Sequence, residues 1–200
     1  VNGSDKPFPG FLKLAGNLAA KWPSYYVVGN HEQTLTARQR DPLLEDVKGA
    51  GVQLLSNNYC ALDRGGARIR LYGMHFHMRY YRDYHHDYDR HTHFTAEDLK
   101  ELVGPAPKET YNILLTHNPL FFPSYAKWGA DLTLSGHIHG GIIRLPVLGG
   151  LLSPECRFFP KYDGGLFADG SRHLEVSRGL GNNFAWRVNN PPELPLLVLH

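Results

Sequence analysis

Three short apolar runs in this chain each lead into a loop that contains histidine. The runs at 25–28, 111–115 and 130–134 precede, in order, Gly-Asn-His-Glu, Thr-His-Asn-Pro and Ser-Gly-His-Ile-His-Gly-Gly. Runs of this length that are rich in aliphatic and aromatic residues are typical of buried strands. In open α/β sheets, ligands bind beyond the carboxyl ends of the strands. We therefore predict an α/β sheet whose strand ends bring the three loops to one site.

The remaining pattern also indicates alternating helices and strands. Helical spacing of apolar residues predicts helices over 10–22 and 41–50, and Thr95-Ala96-Glu97-Asp98 is typical of a third helix start. Further strands are expected at 52–55, 59–62 and 69–72. The Gly- and Pro-rich last third has apolar runs at 142–145, 174–177 and 196–199, with the prolines of 191–195 before the last of them. These runs predict a second sheet packed nearby.

Composition limits the class of protein. With 200 residues, 42% hydrophobic and 20% charged, the chain is the size of one globular domain, which we assign to 1–200. The net charge of +2 is too small to favour nucleic acid as a stable partner. Cys60 and Cys156 are too far apart for a CxxC motif, which disfavours a redox or zinc-binding protein. The two cysteines are either two buried thiols or one disulfide, and both alternatives remain open.

The histidine loops have the side chains of a metal site. Neutral imidazole is the commonest protein metal ligand, and the glycines beside His137 and His139 allow the backbone to approach a bound ion closely. The alternatives are a glycine-rich surface turn for these two histidines, an ordinary turn at Asn30-His31, and a structural strand-end histidine for His117. The occurrence of all three loops in one chain favours the metal site.

Taken together, the loops resemble those of the calcineurin-like metallophosphoesterases. The segments Trp-Gly-Ala-Asp at 128–131, Ser-Arg-Gly-Leu-Gly at 177–181 and Asn-Pro-Pro-Glu-Leu at 190–194 are similar to a bacterial subgroup of small, phosphodiesterase-like members. The resemblance extends over nearly the whole chain. It implies an αββα sandwich of two mixed sheets and metal-dependent hydrolysis of a phosphoester, of the phosphodiesterase or pyrophosphatase type.

The resemblance also implies roles for individual residues. Asn30, through its amide oxygen, His117 and His137 would ligate one divalent metal ion, and His139 would ligate a second. His31 would act together with Asn30 in catalysis, stabilising the transition state or protonating the leaving alkoxide. Such two-metal sites clamp an in-line displacement at phosphorus. Mn, Fe, Zn and Co all suit these ligands.

The chain departs from the family pattern before residue 29. The family's Asp-x-His and Gly-Asp-x-x-Asp loops, which supply a bridging Asp and further ligands, have no counterpart there. We therefore expect the chain to lack the first βαβ unit of its fold, to hold one ion or none, and to hydrolyse little. The alternative is a catalytically inactive remnant that binds a phosphorylated ligand or a partner through the same cleft.

The resemblance leaves substrate and location broad. It implies a phosphorylated small-molecule or lipid-like substrate, in the cytoplasm or at the membrane or envelope of a bacterium, with membrane association through a missing N-terminus left open. The His- and Tyr-rich segment 75–93 is either a flap over the site or a solvated loop. Arg178 and Arg187 either contact phosphate or form structural ion pairs.

Overall fold

A six-stranded mixed sheet forms the centre of the computed structural model, which describes residues 8–81, 93–153, 158–181 and 187–199. Four neighbouring strands are parallel, and an antiparallel strand flanks them on each side. In spatial order they are β3 (Asn58–Arg64), β4 (Ala67–Met74), β5 (Tyr111–Thr116), β6 (Leu132–Ser135), β10 (Arg172–Val176) and β9 (Gly165–Asp169). The carboxyl ends of β5 and β6, which precede the loops of His117 and of His137 and His139, therefore meet at one edge.

A smaller sheet packs on one face of the large one. It consists of β1 (Tyr25–Tyr26) and β2 (Gln53–Leu54), which pair in parallel. Apolar side chains fill the space between the sheets, with Leu55 and Leu71 among the most buried. Gly73 lies at this contact, since a Cβ there would come within 2.9 Å of Val27 and closer still to Leu55. The two sheets thus meet too tightly for a side chain at this position.

Helices cover the outer faces of both sheets. The helices α1 (Pro9–Ala19) and α3 (Ala37–Gly49) share a core with the β1–β2 side, which includes Leu43 and Val47. The helices α4 (Ala96–Val103) and α5 (Phe122–Trp128) pack on the other side of the large sheet, in a core rich in aromatic residues. These layers confirm the predicted αββα sandwich.

Most predicted elements are present with shifted ends. Helix α4 starts at Thr95 as expected, because Thr95 Oγ1 accepts from the Asp98 amide at 3.2 Å and the Asp98 carboxylate accepts from the Thr95 amide at 2.7 Å. Helix α3 begins four residues before the predicted start, at a second capping box formed by Thr36 and Gln39. The short helices α2 (Asn30–Thr34) and α5 were not expected.

The last third differs most from the prediction. No separate sheet of the predicted strands forms in its described residues; β9 and β10 instead extend the large sheet, and β7 (Arg144–Leu145) and β8 (Gly149–Gly150) form a small hairpin. The strand expected at 196–199 is wrong, since residues 191–199 run without strand pairing and Leu196 is 90% exposed. Prolines 191, 192 and 195 explain this, because proline has no amide to donate to a ladder.

Two further features are the state of the cysteines and the length of the helices. Cys60, on β3, has a free thiol, whereas Cys156 lies outside the described residues. Within the described ranges, every helix is too short or too polar to cross a membrane.

Candidate metal centre

The first loop of the site is held by the buried carboxylate of Glu32. Its Oε2 accepts from the Gly29 amide at 2.7 Å, and its Oε1 accepts from the Tyr26 hydroxyl at 2.8 Å. Burial, and then the charge of Glu32, raise the pKa of Tyr26 well above its usual range, so this hydroxyl remains a donor. Helix α2 starts directly after this turn, at Asn30. The turn therefore fixes the backbone from which Asn30 and His31 project.

His117, at the end of β5, lies between the other two loops. A Cβ on Gly29 would come within 3.1 Å of the His117 ring, and one on Gly136 would lie 3.7 Å from its Nδ1. Burial lowers the pKa of His117 well below its usual range, and neighbouring His137, His139 and His31 lower it further. At neutral pH, His117 is therefore an uncharged imidazole, the form that binds metal.

The loop after β6 has a strained backbone. His137 and His139 have φ of 72° and 54°, in the left-handed region. Each such residue other than glycine costs about 1–2 kcal/mol, and strain of this kind is concentrated at functional sites. The rings of His137 and His117 are 5.2 Å apart, edge to face, and Tyr81 packs on both. The structure thus brings the second and third predicted loops together.

His139 and His31 complete the cluster of imidazoles. Burial, followed by the charges of His137 and Arg187, lowers the pKa of His139 to about 4. Burial also lowers the pKa of His31, with His137 adding to the shift and Glu32 opposing it. Because each of these histidines influences the pKa of others, all four predicted site histidines lie in one region of the molecule.

The side-chain amide oxygen of Asn30, in the first histidine loop, has no hydrogen-bond partner among the described residues. Asn30 Oδ1 is buried, and no described residue donates a hydrogen bond to it. Such an atom calls for an explanation, and a cation is one. Across the described ranges, no three His, Cys, Asp or Glu side chains form a metal-binding group. A cation between His117 and His137 would therefore depend on Asn30 as its third donor, which fits the predicted ligand set for one ion.

The C-terminal part of the chain supports the His139 loop from behind. Asn190 Nδ2 donates to the His139 carbonyl at 2.6 Å. Arg178 contacts Gly140 and pairs with the Glu193 carboxylate, which also accepts from the Arg178 amide at 2.8 Å. Arg178 is thus in a structural ion pair, one of the two alternatives considered. Sequence reasoning missed the roles of Asn190 and Glu193, because 51 residues separate Asn190 from the carbonyl it contacts.

Arg187 donates hydrogen bonds to backbone carbonyls, and most of the predicted flap lies outside the described residues. The Arg187 guanidinium donates to the carbonyls of Arg178, at 3.1 Å, and of Gly181. Of the segment 75–93, residues 82–92 lie outside the described part of the chain. The described residues before them include Tyr80 and Tyr81, which are buried, with Tyr81 against the histidine rings. The flap stays a prediction.

Comparison with known proteins agrees with this arrangement of loops. The family model of the calcineurin-like phosphoesterases matches residues 1–141. The chain belongs to this family. The match ends directly after the Gly-His-Ile-His-Gly-Gly loop, so it includes all three histidine loops and excludes Asn190.

Curated relatives of this phosphoesterase are bacterial. It is 27% identical over 196 residues to "Phosphodiesterase YaeI" of Escherichia coli K12, with 96% of this chain and 64% of the relative covered. Over 103 residues it is 36% identical to "Uncharacterized metallophosphoesterase YkuE" of Bacillus subtilis 168, covering 51% and 35%. Over 97 residues it is 36% identical to "UDP-2,3-diacylglucosamine pyrophosphatase LpxG" of Chlamydia trachomatis, covering 42% and 28%. The chain thus spans less than two thirds of the length of each. No solved structure matches it significantly.

Proposed function

We propose that the chain is part of a metal-dependent phosphoester hydrolase that acts on a phosphodiester or pyrophosphate. The observation that carries the proposal is the buried amide oxygen of Asn30, which has no partner among the described residues and directly follows Gly29, the residue packed against the His117 ring that itself contacts His137. One amide oxygen and two imidazole nitrogens suit a borderline divalent ion such as Mn, Fe, Zn or Co. His139 would contribute to a second ion.

The bound metal would polarise a phosphoryl oxygen and lower the pKa of a water molecule. The chain's own contribution is to keep its imidazoles neutral through burial and to hold them on strand ends. Little reorganisation is then needed when the ion binds. The left-handed backbone at His137 and His139 would also reduce reorganisation, since it directs two nearby side chains from one tight loop.

His31 would handle the proton of the leaving group. Burial lowers its pKa, so His31 is mostly neutral before substrate binds. The negative charge of a phosphodiester nearby would favour its protonated form. His31 could then protonate the leaving alkoxide, an assistance of about 10²–10⁴-fold for a positioned general acid.

A second candidate function is phosphoryl binding without turnover. It is favoured by the described residues' lack of any group of three His, Cys, Asp or Glu metal ligands. A centre built on Asn30, His117 and His137 would hold one ion, and one ion loses the clamp that a pair provides. We therefore expect turnover by this chain to be slow.

For the substrate, we propose a lipid-like phosphoester. Five large apolar side chains are exposed on segments that continue from the histidine loop or the end of β10: Val147, Leu148, Phe158, Phe159 and Leu180. The β7–β8 hairpin packs directly on that loop, since a Cβ on Gly141 would come within 3.0 Å of the Gly150 carbonyl carbon. Exposed apolar groups so near a polar site suit a substrate with an apolar part.

The hydrolysis test uses bis(p-nitrophenyl) phosphate with added Mn²⁺. We expect slow, Mn²⁺-dependent release of nitrophenol that Asn30→Ala abolishes and Asn17→Ala, at an exposed position on α1, leaves unchanged. Saturable binding of inorganic phosphate with Mn²⁺ but no turnover would favour the binding module. If the chain shows neither turnover nor phosphate binding, both proposed functions are overturned.

The substrate test compares two diesters of the same phosphate chemistry, one with a short and one with a long alkyl chain. We expect the long-chain diester to have a KM at least about tenfold lower, since each buried CH₂ contributes about 0.8 kcal/mol. The double variant Val147→Ser/Leu148→Ser should reduce this preference. Equal KM values for the two diesters would reject the lipid-like substrate while leaving the hydrolase intact.

A further inference from the structure

Asn190 connects the two ends of the most strained backbone in the site. Its side chain is buried, and its Nδ2 donates to the His139 carbonyl at 2.6 Å and to the Ile142 carbonyl at 3.5 Å. Residues 139–142 all have positive φ, from 41° to 72°. One amide group therefore bridges the first and last residues of this left-handed run.

Such a run requires support from outside itself. His139 and Ile142 are not glycines, and each costs about 1–2 kcal/mol in a left-handed conformation. Residues of this kind keep their conformation only where the surrounding structure determines it. Within the loop, the Gly141 amide donates to the Ile138 carbonyl at 2.9 Å. The His139 carbonyl instead accepts from the side-chain amide of Asn190, and the Ile142 carbonyl accepts from Asn190 and, at 3.5 Å, from the Val188 amide.

The Asn190 side chain is itself tightly placed. A Cβ on Gly140 would lie 2.9 Å from the Arg178 side chain and closer still to Asn190 Oδ1. No described residue donates to that Oδ1, so hydrogen bonds from Nδ2 set the orientation of the amide. The backbone near Asn190 is bound on both sides, because the Arg144 amide donates to the Val188 carbonyl at 3.0 Å and the Glu193 amide donates to Gly179 at 3.2 Å.

We propose that Asn190 is a positioning residue that fixes the backbone of the loop bearing His137 and His139, and with it the direction of both imidazoles, for metal binding. It acts through the main chain, at the carbonyl of His139 itself. The proposal rests on the proposed metal-dependent function. It places part of the metal centre's support outside the region that the family model matches, residues 1–141.

Asn112 provides a matched control. Like Asn190 it is a buried asparagine whose Nδ2 donates to backbone carbonyls, those of Pro107 at 2.9 Å and Thr110 at 3.2 Å. It lies near the start of β5, whereas the histidine loops follow the carboxyl ends of strands. Asn112→Asp and Asn190→Asp each replace the donor by oxygen with little change of shape.

The test is a Co²⁺ titration followed by visible absorption, with thermal unfolding in parallel. Because removal of groups that orient metal ligands costs about 10–100-fold in affinity, we expect that loss in Asn190→Asp and Asn190→Ala. Asn112→Asp should lose stability yet bind Co²⁺ within about twofold of wild type. Wild-type affinity in the folded Asn190 variants, or an equal loss in Asn112→Asp, would overturn the proposal.

Hydrogen exchange of the apoprotein separates this inference from the proposed function. Asn190→Asp should speed the exchange of the Ile138 and Gly141 amides, and Asn112→Asp should leave them unchanged. If the wild type binds no Co²⁺ but these amides respond as expected, the metal function fails and the loop-positioning role stands. If the amides exchange equally fast in wild type and Asn190→Asp, the positioning role fails whatever the metal affinity.

Discussion

The two loops that begin and end the candidate site are stabilised in opposite ways. The Gly29–Glu32 turn is held by Glu32, a charged side chain three residues from the amide it binds. The loop of His137 and His139 is held by Asn190, a neutral side chain 51 residues away. Both supports are buried and both bind main-chain groups. The difference shows that one cluster of loops can combine a support encoded within a short sequence motif with a support that depends on a contact between distant segments.

The difference has consequences for how each loop fails. Loss of Glu32 leaves a buried amide and a partly buried hydroxyl unsatisfied, and the damage is local. Loss of the contact at Asn190 releases a strained run of backbone that has little support of its own. The first loop should therefore respond to loss of charge and to alkaline pH, whereas the second should respond most strongly to changes of shape.

The largest loss of stability is expected from a substitution that overpacks the second loop. Gly140→Ala would place a Cβ against Arg178 and Asn190, at a φ of 72°. We expect a loss of about 2–5 kcal/mol in unfolding free energy, from overpacking together with left-handed strain. Urea unfolding measures it.

Gly179→Ala is the matched control for Gly140→Ala. Its φ is 73°, and no atom of the described residues lies within 4 Å of the added Cβ. It should lose only the strain of about 1–2 kcal/mol. Equal losses in the two variants would show that the contact with Asn190 and Arg178 contributes nothing.

A smaller effect is expected from charge at the first loop. Glu32→Ala leaves the buried Gly29 amide without its acceptor, at about 1–3 kcal/mol, and the Tyr26 hydroxyl, whose bond to Glu32 is only partly buried, should add little to this loss. Glu32→Gln retains the shape and one acceptor oxygen, so its loss should be intermediate. Thermal unfolding of both variants in the absence of metal checks this order. If Glu32→Ala were as stable as wild type, the turn would be held by something other than this carboxylate.

The smallest expected effect is a dependence of stability on alkaline pH, which arises at the first loop. The pKa of Tyr26 is raised above its ordinary value of 10.0, first by burial and then by Glu32. Above pH 10 the unfolded chain releases this proton while the folded chain retains it, so stability should fall as the pH rises. Tyr26→Phe should lose about 1 kcal/mol at pH 8 and show a shallower decline above pH 10. Identical slopes for wild type and Tyr26→Phe between pH 9 and 11 would exclude Tyr26 as the source.

The distinction between local and long-range contacts also determines which features the sequence could predict. The layers, the strand ends and the clustering of His31, His117, His137 and His139 follow from local patterns, because each strand and its loop are contiguous in sequence. The start of α4 follows from its capping box. Assignment of the metal ligands themselves stays a prediction.

The remainder depends on contacts between distant segments. Nothing near Asn190 signals a contact with the His139 carbonyl, and the apolar run at 196–199 led to the prediction of a strand that does not form. The β9–β10 extension of the large sheet likewise depends on the pairing of β10 with β6, about forty residues away. Hydrophobic periodicity is local information, so it misses both features.

We expect the strand-end loops to form a divalent metal site with His117 and His137. A Zn²⁺ titration followed by the imidazole resonances in ¹H–¹³C NMR spectra tests it most directly. We expect the resonances of His117 and His137 to shift together and to stop shifting near one equivalent of Zn²⁺. His173, at the opposite end of the sheet on β10, should stay unchanged, and Asn30→Ala should weaken the response about tenfold or more. Shifts that include His173 equally, or that ignore the loss of the Asn30 amide, would contradict the account.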